Sequence, residues 1–144
     1  MARIKFDLPD SFSFFTDLQI YIGHVNYGGH LDNAQLLTLL SEARVRYLKS
    51  MGYTELDIEG SPIVVSDHLI QYRSEGFHGE TLRVNMIPMD FNKYGFDLVY
   101  RIDCLENPRE LARGKMGIVF VDPNTKKATR IPSAFLTKVG QSVN

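Results

Sequence analysis

Asparagine, histidine, aspartate and two adjacent glycines occur together in one short segment, NYGGHLDN, which covers residues 26–33. Strand-type residues precede this segment and residues with helical spacing follow it directly, so it marks a strand-to-helix junction. A helix begins with unpaired backbone N–H groups and a partial positive charge, which suit the stabilisation of an oxyanion. A carboxylate or imidazole beside such a site can accept a proton from water. The residue types at this junction therefore favour acyl transfer or thioester hydrolysis.

The junction also has a complete structural interpretation. Gly28 and Gly29 permit a tight turn with positive φ and allow another group to approach the backbone closely. Asp32 is a favourable N-cap, and Gln35, three residues later, completes a capping-box pattern. On local signals alone, a turn, a cap and a helix account for these residues without any catalysis.

Two elements must position the junction. Residues 14–26 alternate between apolar and polar side chains, as in a half-buried strand, and by the same parity His24 and Asn26 fall on its apolar side. Residues 33–50 place apolar side chains at helical spacing and carry a polar stripe, which predicts a long amphipathic helix. Gly52 ends this helix as a typical C-terminal stop.

The rest of the chain is mainly of strand type. Strand-like segments separated by short, hairpin-sized breaks cover residues 62–73, 81–89, 94–105 and 112–122. Consecutive strands of this kind predict an antiparallel meander, and IPSAFLTKV near the C-terminus predicts a short closing helix. One long helix against one face of such a sheet is a two-layer α+β fold, and residues 1–144 have the usual size of a single domain.

The composition narrows the range of partners. The formal net charge is −1 and the 16 Lys and Arg residues are spread along the chain, so neither nucleic acid nor an anionic membrane is expected as the main partner. No apolar stretch approaches the roughly 18 residues of a spanning helix, and the N-terminus lacks a secretory pattern, which predicts a cytoplasmic protein. Cys104, the only cysteine, lies in a predicted strand, where a buried inert thiol is expected. No metal-ligand spacing or phosphate-binding glycine loop occurs, so neither a metal nor a cofactor is expected.

Residues 26–44 resemble the hotdog-fold acyl-CoA thioesterase superfamily, particularly the group similar to 4-hydroxybenzoyl-CoA thioesterases. That group has an Asp, two variable residues, Gly-His, an aliphatic residue, Asn-Asn, and then a helix carrying Glu-Ala-Arg. The matching positions here are Asn26, Gly29, His30, Leu31, Asp32, Asn33 and Glu42-Ala43-Arg44. The resemblance implies a hotdog fold, in which an antiparallel sheet of about five strands wraps around one long central helix.

One position departs from this family pattern. The usual catalytic Asp at the end of the first strand is Asn26 here, and an amide cannot act as a general base, although it can donate a hydrogen bond to a thioester carbonyl. Asp32 is the nearest substitute in sequence. Glu42, about 2.5 helical turns further on, is a second candidate base if the thioester lies alongside the helix. An i,i+4 ion pair between Glu42 and Arg46 is its structural alternative, and His30 is a candidate to orient the carboxylate or contact the thioester.

The resemblance implies hydrolysis of an acyl-CoA thioester to the free acid and coenzyme A. A carboxylate would assist the attack of water, and the helix N-terminus would hold the carbonyl oxygen. The candidates for contact with the thioester are Tyr27, Gly28, Gly29 and Asn33. The candidates for contact with the coenzyme A phosphates are Arg73, Arg113 and Lys115.

Two other functions stay open at the level of the sequence. A non-catalytic acyl-thioester binding protein is favoured by Asn26, and a hotdog dehydratase or hydratase is the other alternative. The resemblance also implies a homodimer, or a homotetramer, with active sites between subunits. A single hotdog subunit would leave the edge of its sheet unpaired, which is a known cause of association.

Overall fold

The computed structural model describes residues 3–142. Its elements, in chain order, are β1 (Phe14–Gln19), a 3₁₀ turn (Ile22–His24), α1 (Asn33–Ser50), β2 (Ile63–Tyr72), β3 (Thr81–Met89), β4 (Gly95–Cys104), β5 (Arg109–Phe120) and α2 (Ser133–Lys138). The five strands form one antiparallel sheet, and α1 packs against one of its faces. This is the α+β arrangement predicted from the sequence. Within the described range, no helix is both long enough and apolar enough to cross a membrane.

The helix α1 begins and ends at the predicted residues. Asp32 is its N-cap, and Gly52 follows its last turn with a φ of +84°. The stripe that α1 buries against the sheet consists of Leu36, Leu39, Leu40, Ala43, Tyr47 and Leu48. Burial of one leucine-sized side chain contributes about 1.5–3 kcal/mol, so this stripe fixes the start of α1 relative to the sheet. Leu37 and Val45 remain exposed on another side of the helix.

The order of the strands corrects the predicted meander. The sheet runs β1-β3-β4-β5-β2, so β2 pairs with β5 instead of β3, and β1 pairs with β3. Residues 75–80, predicted as a hairpin break, instead belong to a β2–β3 loop of residues 73–80 that crosses the end of the sheet over about 14 Å. This crossing brings the loop against the junction before α1, where the Leu31 N–H donates to the Gly76 carbonyl at 2.7 Å.

The strand β1 is shorter than the sequence predicts. It ends at Gln19, and the 3₁₀ turn follows, in which the His24 N–H donates to the Tyr21 carbonyl at 2.9 Å. Ile22, expected on the core side of a longer strand, is 74% exposed. Because the backbone turns before it reaches Asn26, that residue belongs to the turn entering α1 and not to a strand face.

The N-terminal segment, residues 3–13, covers the face of the sheet that points away from α1. Arg113 Nη1 donates to the Phe6 carbonyl at 3.0 Å, and the Arg101 guanidinium lies 5.2 Å from the centre of the Phe12 ring. Both arginines point away from α1, since their neighbours along β4 and β5 point into the core. The cavities beside α1 therefore lie on the opposite side of the sheet from this segment.

Cys104 is buried at the end of β4, as the sequence predicts. Its thiol donates to Glu80 Oε2 at 3.2 Å and to the Glu106 carbonyl at 3.1 Å. Burial raises the pKa of this thiol to about 11, and the neighbouring Glu80 carboxylate adds to the effect. Glu80 is also held by Arg109, whose Nη2 and Nη1 donate to its two oxygens at 2.8 and 3.1 Å. The thiol is therefore kept protonated and enclosed.

Candidate active site

The turn that leads into α1 is organised by Asn26. Its Oδ1 accepts the Gly28 N–H at 2.9 Å, its N–H donates to the His30 carbonyl at 3.0 Å, and its carbonyl accepts the Gly29 N–H at 3.0 Å. Gly29 has a φ of +85°, a conformation that glycine adopts most readily. Gly28 has a different constraint, because a Cβ there would lie 3.0 Å from His30 Nε2. The turn thus fixes the imidazole of His30 close to the backbone.

The first turn of α1 leaves one N–H group free. Asp32 Oδ2 accepts the N–H groups of Ala34 and Gln35 at 3.0 and 3.2 Å, and the Asp32 carbonyl accepts the Leu36 N–H at 3.1 Å. Among residues 3–142, the Asn33 N–H has no acceptor and Asp32 Oδ1 has no donor. The start of the helix therefore presents one backbone N–H beside one carboxylate oxygen.

A cavity of about 290 Å³ lies between the start of α1 and the β2–β3 loop. The junction contributes His30, Asp32 and Asn33 to its wall, while the end of β2 and the loop contribute Tyr72 and Glu75. A larger cavity, of about 540 Å³, lies beside α2 and contains none of the predicted site residues. The smaller cavity therefore brings Asn33 together with ionisable side chains from a distant part of the sequence.

The β2–β3 loop is held firmly against this cavity. Gly76 fits closely, because a Cβ at this position would lie 2.9 Å from methyl carbons of Ile20 and Leu111. Arg109 Nη2 donates to the Glu75 carbonyl at 2.6 Å, which ties the loop to β5. These contacts on both sides of Glu75 fix its backbone relative to the junction.

Tyr72 links the end of β2 to the start of α1. Its hydroxyl donates to the Asn33 carbonyl at 3.1 Å. Burial raises the pKa of this phenol, and the negative charge of Asp32 raises it further. Tyr72 therefore stays a neutral hydrogen-bond donor and forms one wall of the cavity.

Two contacts between basic and acidic side chains lie at the cavity. His30 Nε2 lies 3.6 Å from Glu75 Oε1. Arg73 Nε lies 3.3 Å from Glu110 Oε2, and the Arg73 side chain lines the cavity. An imidazole (His30), two carboxylates (Asp32 and Glu75) and a guanidinium (Arg73) thus line the same cavity as Asn33. Such a combination can polarise a carbonyl and receive a proton from water.

The model of the thioesterase-like superfamily matches this chain over residues 20–139. The chain belongs to the thioesterase-like superfamily. The matched range contains the junction, the cavity and four of the five strands. The similarity to this superfamily thus covers the residues that form the candidate site.

Solved structures with similar folds are known. Slr0204, a 1,4-dihydroxy-2-naphthoyl-CoA thioesterase from Synechocystis, superposes with a TM-score of 0.80 at 21% identity, covering 88% of this chain and 95% of its own. SAV2348 from Staphylococcus aureus, solved in complex with CoA, also gives a TM-score of 0.80, at 14% identity, covering 96% of this chain and 92% of its own. These similarities confirm the hotdog fold. A Synechocystis protein provisionally named an esterase is 28% identical over 109 residues, which are 74% of this chain and 66% of that protein's length.

The cavity between the start of α1 and the β2–β3 loop contains only part of the predicted site. His30, Asp32 and Asn33 line it together, as the family pattern implies for neighbouring positions. The other predicted residues of the junction, Asn26, Tyr27, Gly28 and Gly29, form the turn and lie outside the cavity wall. Tyr27 is fully exposed at the tip of this turn.

Glu42 lies on a different side of α1 from Asp32. It borders a groove of about 520 Å³ between α1 and β1, which His24 also lines. Arg46 Nε lies 2.8 Å from Glu42 Oε2, so the i,i+4 ion pair considered from the sequence is present. The two carboxylates predicted as alternative bases therefore face different cavities.

The candidate phosphate-binding residues are also separated. Arg73 lines the cavity, whereas Arg113 and Lys115 lie on the outer face of β5. Arg113 is paired with Glu110 at 2.6 Å, and Lys115 with Asp97 at 2.8 Å. Of the three, Arg73 is the cation placed next to the candidate site.

Sequence reasoning missed Tyr72 and Glu75. Tyr72 occupied the end of a predicted strand, and Glu75 occupied a break that was expected to connect neighbouring strands. Neither position carries a local signal for a site, because both reach the cavity only through the crossing of the β2–β3 loop. A prediction that β2 pairs with β5 would have found both.

Proposed function

We propose that this protein hydrolyses an acyl-CoA thioester in the cavity between the start of α1 and the β2–β3 loop. The observation that carries the proposal is Asn33, which lines the cavity together with ionisable side chains and whose backbone N–H has no acceptor among residues 3–142. Such an N–H can hold the carbonyl oxygen as negative charge develops on it. The oxygen of water bonds to the carbonyl carbon, the C–S bond breaks, and the proton taken from water ends on the thiolate of coenzyme A.

Several side chains are available to accept that proton. In the described part of the chain, Asp32 has one carboxylate oxygen without a donor, and His30 and Glu75 line the same cavity. Glu42 remains a predicted base only for a thioester bound on the other side of α1, in the groove beside β1. Asn26 is proposed to act through the turn, where its amide oxygen accepts the Gly28 N–H.

Coenzyme A is the proposed thiol carrier. Slr0204 is named for an acyl-CoA substrate, and SAV2348 was solved in complex with CoA. In this chain Arg73 supplies a positive charge at the cavity, about half exposed and able to meet a phosphate. The exposed Tyr27 and the two glycines of the turn are proposed to border the bound thioester.

We also propose that the protein forms a homodimer along β2. This strand is ten residues long, lies at an edge of the sheet and exposes Val64 and Val65. Leu37 and Val45 on α1 are exposed as well. A second copy that pairs along β2 would complete the sheet and cover apolar surface. Since the cavity begins at the end of β2, the partner would border it.

A panel of acyl-CoA substrates tests the proposed function. Short, long and aromatic acyl-CoAs are incubated with the protein, and release of free coenzyme A thiol is measured against protein-free samples. We expect at least one of these thioesters to be hydrolysed with saturable kinetics. Binding of acyl-CoA by calorimetry without thiol release would identify a binding protein and overturn the proposal.

A further inference from the structure

The geometry points to His30 as the catalytic base and to Glu75 as the residue that positions it. This assignment rests on the proposed function and names the groups that would activate water there. It makes the imidazole, and not a carboxylate of the junction, the acceptor of the proton from water. Glu75 would act only through the imidazole, as the carboxylate of a catalytic triad does.

The contact between the two side chains is direct and accessible. His30 Nε2 lies 3.6 Å from Glu75 Oε1, and the side chains are 34% and 64% exposed, so water can reach both. Catalytic contacts are often this long without substrate and shorten when the substrate binds. A carboxylate at Nε2 favours the N–H on that nitrogen, which leaves the lone pair on Nδ1. Nδ1 has no partner among residues 3–142 and can accept a proton.

The backbones of both residues are held in place by their surroundings. The backbone of His30 is held by the Asn26 turn, and its ring packs near the Cα of Gly28. The backbone of Glu75 is held by the hydrogen bond from Arg109, and the next residue, Gly76, accepts the N–H of the residue after His30. The junction and the β2–β3 loop are thus bonded to each other beside the pair.

The other acidic or amide candidates have competing interactions. Asn26 has no ionisable group, and its amide oxygen is bonded within the turn. Asp32 uses one oxygen to accept two N–H groups of α1. Glu42 is paired with Arg46 and borders a different groove. Glu75 is the carboxylate in contact with the imidazole of the cavity.

His30, Glu75 and the Asn33 N–H are sufficient for each proton transfer and charge in the proposed reaction. His30 Nδ1 takes one proton from water as the water oxygen bonds to the carbonyl carbon, and the imidazolium is stabilised by Glu75. The carbonyl oxygen carries the negative charge beside the Asn33 N–H. When the C–S bond breaks, the imidazolium returns its proton to the leaving sulfur, which gives the acid and the free thiol of coenzyme A.

A double-mutant cycle on the full-length protein tests the pair, with the best acyl-CoA of the panel as substrate. We expect His30→Ala to lower kcat by about 10²–10⁴-fold, and Glu75→Gln to lower it about tenfold with KM within about twofold. In the His30→Ala background, Glu75→Gln should change kcat by less than about twofold, because Glu75 acts through the imidazole. Added imidazole should restore part of the rate of His30→Ala.

A matched control separates this effect from a general loss of charge. Glu106 is an exposed carboxylate in the turn between β4 and β5 that accepts the Thr81 N–H, and glutamine can keep this bond. Glu106→Gln should therefore keep the parental kcat, and circular dichroism should show all variants folded.

Three results would overturn the assignment. If the effects of the His30 and Glu75 substitutions on kcat were additive, Glu75 would not act through the imidazole and would be a structural residue. If His30→Ala retained the parental kcat, the base would lie elsewhere while the proposed function stands. The same conclusion would follow if Asp32→Asn lowered kcat by two to four orders of magnitude and Glu75→Gln left kcat unchanged. A parent that releases no thiol from any acyl-CoA would overturn the proposed function and the pair together.

Discussion

At the scale of single residues, Asp32 and Asn33 have different roles at the start of α1. Asp32 caps the helix, and Asn33 carries the N–H that is proposed to contact the substrate. Asp32 satisfies the N–H groups of Ala34 and Gln35, which would otherwise need solvent or ligand. The N–H of Asn33 is left without an acceptor in the described part of the chain. A conventional cap therefore leaves the first N–H of the helix available for the proposed contact with the carbonyl oxygen.

Replacement of Asn33 by proline tests the role of this N–H, because proline has no backbone N–H. Asn33 is the first residue of α1, where proline is well tolerated, and Asp32 has φ −70° and ψ 138°, a conformation compatible with a following proline. We expect Asn33→Pro to lower kcat by about 10²–10³-fold, the usual effect of losing one oxyanion donor. The midpoint of thermal unfolding should stay close to that of the parent, because no hydrogen bond is lost.

Asn33→Ala is the matched control, since it removes the side chain and keeps the N–H. Its kcat should exceed that of Asn33→Pro by at least about tenfold. Equal activity of the two variants would show that the N–H does not contact the thioester carbonyl.

At the scale of elements, the β2–β3 loop depends on the ion pair between Glu80 and Arg109. Arg109 donates to both oxygens of Glu80, and Glu80 Oε1 also accepts the Phe77 N–H at 2.7 Å. The hydrogen bonds from Arg109 are the main reason that the pKa of Glu80 lies below its ordinary value of 4.5. The pair links the loop to β5 and so helps to set the position of the cavity wall.

This lowered pKa predicts an acid dependence of stability. The folded protein binds the Glu80 proton more weakly than the unfolded chain, so its contribution is complete above pH 4.5 and is lost as the pH falls through the lower, folded pKa. Glu80→Gln should lower the free energy of unfolding at pH 7 and flatten its decline below pH 4.5. Urea unfolding of parent and variant between pH 7 and pH 3 measures both effects, and parallel curves would contradict the prediction.

The helices and strands also show which features of the fold can be predicted from the sequence. The bounds of α1 and β3 follow from the spacing of apolar residues, and the Asp32 cap follows from residue type, because each depends on interactions within a few positions. The partner of β2 depends on contacts between residues 40 or more positions apart, such as Tyr72 and Ala112. Local patterns do not specify such pairings, so the predicted position of β2 in the meander was wrong, whereas β3, β4 and β5 pair consecutively as predicted. The contribution of Glu75 to the site was missed for the same reason.

At the scale of the whole molecule, the free edge of β2 is the feature that predicts assembly. An exposed, largely apolar edge strand favours pairing with another copy, and the exposed residues of α1 enlarge the surface. The N-terminal segment covers the outer face of the sheet. Contact between subunits is therefore expected along the edge of the sheet and not through that face.

Sedimentation of the parent at micromolar concentration should give a mass near twice 16.4 kDa, or a multiple of it. Val65→Lys should shift the protein toward the monomer, because a lysine on an edge strand opposes pairing. Leu105→Lys is the matched control, since Leu105 is exposed to a similar extent but lies in the turn after β4. A parent that sediments only as a monomer, or equal dissociation by both lysines, would contradict pairing along β2.

The enclosure of Cys104 has a practical consequence for enzymology on this protein. Assays of thioester hydrolysis follow the colour that a disulfide reagent develops with released coenzyme A. The only cysteine of the chain is buried, and its pKa of about 11 keeps it in the unreactive thiol form near neutral pH. The native enzyme should therefore add almost no background colour, even at high concentration. On denaturation the same reagent should titrate one thiol per chain, so a single chemical measures turnover in the folded protein and the fraction of unfolded protein in any variant.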